Sequence, residues 1–89
     1  MYPNKQTFTT VIRILLKTAD AYGKTFCDIN AKKLHEFIGG YPPPRNHNHR
    51  MPNCNSAMKD LMQEGDEILS QPEKGVGASL TIRYYMPRL

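Results

Sequence analysis

The stretch Ser79-Leu80-Thr81-Ile82-Arg83-Tyr84-Tyr85-Met86 alternates apolar and polar side chains. Leu80, Ile82 and Tyr84 share one parity, and Thr81, Arg83 and Tyr85 share the other. A period of two belongs to a strand with one buried face. Just upstream, Glu67-Ile68-Leu69-Ser70 is a second, shorter strand candidate. Between them, Pro72-Glu73-Lys74-Gly75-Val76-Gly77 is rich in residues that punctuate helices and strands. The spacing predicts a C-terminal β-hairpin with a long, glycine-containing loop.

The rest of the chain changes period. Phe8, Val11, Ile12, Leu15, Leu16, Ala19 and Tyr22 recur at three- and four-residue steps, which predicts a helix over 8–22. Ile14 falls off that stripe. Thr7 is the expected N-cap, and Gly23 the expected stop. Residues 24–29 are too few for a helix and suit a brief strand. Asn30 reads as the N-cap of a short second helix over 31–38, with Leu34, Phe37 and Ile38 as its apolar stripe and Gly39-Gly40 as its end. Tyr41-Pro42-Pro43-Pro44 excludes an ordinary helix or central strand and favours an extended spacer. Pro52 suits the first turn of a third helix, expected to run to Glu64 and stop at Gly65. Cys54, Met58, Leu61 and Met62 form its apolar arc; Asn53, Asn55, Ser56, Lys59 and Gln63 are assigned to the wet side.

Composition bounds what such a chain can do. At 89 residues it makes one domain, 1–89, with one small core and no room for a catalytic domain with a deep cleft. The net charge of +4 and a pI near 9.2 fit an anionic partner. No apolar run approaches the roughly 18 residues of a membrane span. With no signal-peptide core at the N-terminus, a cytoplasmic location is expected. Two cysteines, Cys27 and Cys54, make no disulfide framework and are expected as free thiols.

The order helix, short strand, helix, loop, helix, hairpin resembles a winged helix-turn-helix domain, an α+β fold of three helices and a C-terminal hairpin wing. The resemblance covers nearly the whole chain and rests on element order and length, with no diagnostic motif. It departs from the family in the link from Ile38 to Met51, which is longer than a tight turn. It implies that the third helix enters the DNA major groove and that the wing reaches the backbone or minor groove.

The charge pattern agrees. No Asp or Glu occurs from Phe37 through Lys59, whereas Arg45, Arg50 and Lys59 do, with His47 and His49. Cations on such a surface release condensed counterions from phosphates. The expected readers of base edges are Asn53, Asn55, Ser56 and Lys59. Arg45 and Arg50 are expected on phosphates, and Lys74 and Arg83 as anchors of the wing. The expectation is therefore a non-catalytic module for double-stranded DNA, in the manner of a transcriptional regulator. It uses no cofactor and touches no membrane. The alternative is a winged-helix protein-interaction module inside a larger assembly, joined to a homodimer mate or another protein.

Sharper chemistry is disfavoured. His47, His49 and Cys54, with Cys27 and His35 elsewhere, invite a zinc site, but there is no C-x-x-C and Cys54 lies on the apolar arc. His47-Asn48-His49 spells the name of a nuclease family whose named residues are spread over a different fold. Gly75-Val76-Gly77 has no following helix to make a phosphate loop. Ser56 and Ser70 lack the strand-turn-helix setting of an activated nucleophile, and Cys27 with His35 has no third member.

Overall fold

A computed structural model describes residues 4–39, 51–73 and 77–88. Three helices and three strands follow in the order α1 (Lys5–Ala21), β1 (Phe26–Asn30), α2 (Ala31–Ile38), α3 (Met51–Asp60), β2 (Glu67–Ser70) and β3 (Thr81–Tyr85). The fold is α+β.

Helix α1 starts one turn earlier than its apolar pattern. Asn4 is the N-cap and accepts from the Thr7 amide at 2.9 Å. The Thr7 side chain accepts from the Asn4 amide, closing a capping box. Thr7 is thus the third helical residue and not the cap, because Asn4 satisfies the orphan amides from further back. Gly23 follows the helix at φ +74°, the left-handed region that glycine enters without steric cost. Asn30 caps α2 as expected, accepting from Lys33 N at 3.1 Å. Helix α3 ends at Asp60, a turn short of the expected Glu64. Residues 61–66 form turns instead, with Gly65 at φ +95° and Asp66 Oδ2 accepting from Gln63 N.

The sheet holds more than the hairpin. Strand order is β1-β3-β2, with both pairs antiparallel. Strand β3 is central. Its Ile82 lies opposite Ile29 of β1 and Ile68 of β2, and β2 is bulged between Ile68 and Ser70. The alternation read from the sequence places Leu80, Ile82 and Tyr84 fully inside. They meet Phe8, Ile12 and Leu16 of α1, Ile29, Ala31 and Leu34, and Met51, Cys54, Ala57 and Met58 of α3 in one core. Burying an Ile, Leu, Phe or Met side chain contributes about 1.5–3 kcal/mol.

Two residues depart from their expected burial. Tyr22 is 79% exposed and Phe37 is 74% exposed. In α2 the inner position next to Leu34 is taken by His35, which is fully buried with its ring edge-on to Phe8 at 5.0 Å. His35 Nδ1 lies 3.1 Å from the Gly39 carbonyl, so this nitrogen carries the proton and donates. A chain turn ends α2 there, and the polar ring closes it from inside.

Candidate nucleic-acid interface

Helix α3 divides cleanly. Met51, Cys54, Asn55, Ala57 and Met58 are buried. Pro52, Ser56 and Lys59 follow at steps of four and three, so they share the opposite face; Gln63 lies in the turn beyond the helix. Pro52, Lys59 and Gln63 are exposed and Ser56 is half-buried, as is Asn53 beside them. Asp60 also lies outside, but its carboxylate is paired with Lys5 of α1. The outward stripe therefore carries small polar groups and Lys59, with its acid already matched by a cation.

Asn55 is a correction to the wet-side assignment. It is 2% exposed. Its Nδ2 donates to the Gly77 carbonyl at 3.2 Å, and its Oδ1 accepts from the Gly77 amide at 2.9 Å. With both amide groups turned inward on the hairpin backbone, it cannot at the same time read a base edge. The signal was present in the spacing: position 55 is four residues from Met51 and three from Met58, hence on the buried side despite its polarity.

The C-terminal end of α3 and the turn after it rest on β3 and the residues following it. Tyr84 Oη donates to the Met58 carbonyl at 2.7 Å, a buried bond worth about 0.5–1.5 kcal/mol net. Arg88 Nη2 donates to the Leu61 carbonyl at 2.6 Å. Its Nη1 meets Asp66 Oδ2 at 2.9 Å, and the Asp66 side chain is only 2% exposed. Asp66 Oδ1 also accepts from Tyr85 N at 2.9 Å. Burial pushes the Asp66 carboxyl up, but the Gln63 and Tyr85 amides and the Arg88 guanidinium outweigh it and hold the group below the usual carboxylate range. No periodicity announces this pair; it depends on two chain positions 22 residues apart meeting in space.

Arg83, expected as an anchor of the wing, stands on the outer face of the sheet, the non-core side that its parity gives it. Its Nε and Nη2 donate to the two oxygens of Asp28 at 2.8 and 2.9 Å, and its guanidinium lies 4.0 Å over the Phe26 ring. The hydrogen bond from Arg83 holds the Asp28 carboxyl below its ordinary value. Tyr85 packs edge-on to Phe26 and donates to Glu67 at 2.9 Å. This cluster ties all three strands together and neutralises the Arg83 charge within the sheet. Of the remaining expected contacts, Arg45, Arg50 and Lys74 lie outside the described residues, as do His47 and His49.

A second surface lies between the C-terminal half of α1, β1 and α2. Leu15, Cys27, Ile29 and Leu34 line it with Phe37 at one end, and a continuation past Leu15 and Cys27 reaches Tyr22 and Phe26. Lys33 and Lys24 lie at the two ends of this groove. Burial, then the neighbouring Asp28 charge, pushes the Cys27 thiol up. Burial alone pushes the Cys54 thiol to about 12. Neither sulfur is primed as a nucleophile, which needs thiolate near neutral pH.

Among the described residues, no group of three or more His, Cys, Asp or Glu side chains is arranged to hold a metal ion. Among the same residues, no helix is long and apolar enough to cross a membrane. Comparison with family models, with curated proteins and with solved structures returns no match to this chain.

Proposed function

We propose that the chain is a non-catalytic, winged helix-turn-helix module for double-stranded DNA. The observation that carries this reading is the polar outward stripe of α3, with Ser56 and Lys59 at its centre and Asp60 matched by Lys5, set beside a hairpin that is bonded to the same helix. The element order and the β1-β3-β2 sheet support it. Helix α3 lies in the major groove, where Asn53 and Ser56 meet base edges or phosphates and Lys59 meets a phosphate. Asn55 and Arg83 take no part in contact, for the reasons of geometry given above. Arg50 is next in sequence to α3, and with Arg45 and Lys74 it is assigned to phosphates on charge alone.

Fluorescence anisotropy with a random-sequence duplex at several salt concentrations tests the reading. Micromolar binding that weakens steeply with salt is the expected result, since non-specific affinity is largely electrostatic. Arg50→Ala and Lys59→Ala are each expected to lower the slope of log affinity against log salt by about one. Absence of binding by the wild-type chain at low salt sinks the proposal.

One observation favours a second reading. Tyr22 and Phe37 expose most of their rings beside an apolar groove. Exposed aromatic groups grouped around a groove are a feature of protein-interaction surfaces. On this reading the domain is a protein-interaction module, and Phe37→Ser abolishes partner capture while leaving DNA affinity at zero throughout.

A further inference from the structure

We propose that Asn55 is a positioning residue that locks the β2–β3 hairpin to α3, so that the two DNA-contacting elements bind as one preformed unit. This rests on the DNA-binding reading. Strand pairing alone does not fix the hairpin end: the β2 register is broken between Ile68 and Ser70, and Ser70 opposite Thr81 is the last pair of the ladder. Past that bulge the loop must be held by something other than the sheet ladder. The Asn55 amide does this, donating to and accepting from the same residue, Gly77. A primary amide, in Asn or Gln, carries a donor and an acceptor side by side and so matches the N–H and C=O of one residue together.

The opposing arm closes on the same point. A Cβ placed on Gly77 would stand 3.0 Å from Pro72 Cβ. Gly77 thus lies between the Asn55 amide on one side and Pro72 on the other, and the absence of a side chain permits both contacts. Ala78, the next residue, extends the chain of contacts to α2: its carbonyl accepts from Lys32 N at 3.2 Å. Residues 77 and 78 are therefore docked where α3 and the start of α2 meet. A loop docked before binding need not be ordered during binding, so its phosphate contacts contribute in full.

The test combines affinity with region-specific hydrogen exchange. In the free wild-type protein the Gly77 amide is expected to exchange as slowly as the buried amides of α3; fast exchange overturns the inference without any variant. With duplex DNA bound, protection is expected across both α3 and the hairpin. Asn55→Ala is expected to lower DNA affinity about tenfold, to keep protection on α3, and to lose it on the hairpin. A purely structural role would lower protection in both elements together. Wild-type affinity in Asn55→Ala overturns the coupling. If the wild-type chain binds no DNA, the DNA reading fails by itself, and the effect of Asn55→Ala on hairpin exchange in the free protein still decides whether Asn55 holds the loop. Should Asn55→Ala fail to fold, Gly77→Ala disturbs the same joint from the Pro72 side and is read in the same way.

Discussion

The two surfaces of this small domain are built by opposite means. The α3–hairpin side is held from beneath by hydrogen bonds across long sequence distances: Asn55 to Gly77, Tyr84 to Met58, Arg88 to Leu61 and Asp66. The groove between α1, β1 and α2 is apolar, with exposed rings at its ends and lysines beside them. Directional bonds fix one surface as a rigid polar face. Apolar contact leaves the other adaptable. A surface meant to keep register with a regular polyanion gains from the former, because phosphate and base positions are set by the duplex.

The strongest way to break this contrast is Asp66→Asn. It leaves Arg88 nearly buried without its counter-charge, and removing one partner of a buried pair typically costs about 3–5 kcal/mol. Denaturant unfolding should show that loss, together with faster exchange in residues 61–66.

The same group gives a pH dependence. Its folded carboxyl is held below the ordinary value near 4, so the unfolded chain takes up the proton first as the pH falls. Its contribution is present above about pH 4 and is lost as pH drops through the folded value. Wild-type stability should therefore fall on the acid side more steeply than that of Asp66→Asn, as read by thermal melts between pH 6 and pH 2.

On the groove side, Phe37→Ser should change stability by about 0.5 kcal/mol or less, since the ring is 74% exposed and leaves no cavity. DNA affinity should be unchanged; a parallel loss of DNA binding would show that the two surfaces are not separate. The thiols sharpen the contrast further. Native alkylation at pH 8 should leave Cys54 untouched, because it is fully buried and its thiol sits near 12. Cys27, half-buried on the groove wall, should react slowly but measurably. Equal rates would indicate that α3 opens as readily as the groove. The smallest expected effect is that of Asp28→Asn. Its pair with Arg83 is partly open to water, and the change in melting temperature should stay within the range of ordinary surface substitutions.

Periodicity made most of the framework legible. The alternation in 79–86 gave a strand with Leu80, Ile82 and Tyr84 inward, and the Asn30 cap and the stops at Gly23 and Gly39 fell where local chemistry requires them. The reading of Asn55 moves because polarity is weighed over helical angle, and those of Tyr22 and Phe37 because apolar spacing is equated with burial; His35 is given no side from the sequence. Asn55 and His35 lie inside although both are polar; Phe37 and Tyr22 lie outside although both are aromatic. A polar side chain can be buried when the fold brings it matched partners, and for these two the partners are backbone groups of Gly77 and Gly39.

By itself the sequence determined the helices, the strands, the Asn30 cap and the basic, acid-free stretch from 37 to 59, because each follows from spacing or from the intrinsic chemistry of neighbouring residues. Tertiary structure alone decided that β1 joins β3, that Arg83 is neutralised by Asp28, that Arg88 finds Asp66, and that Asn55 grips the hairpin. Those pairings join residues 22 to 59 positions apart, and no local pattern encodes a partner that only chain folding brings into contact.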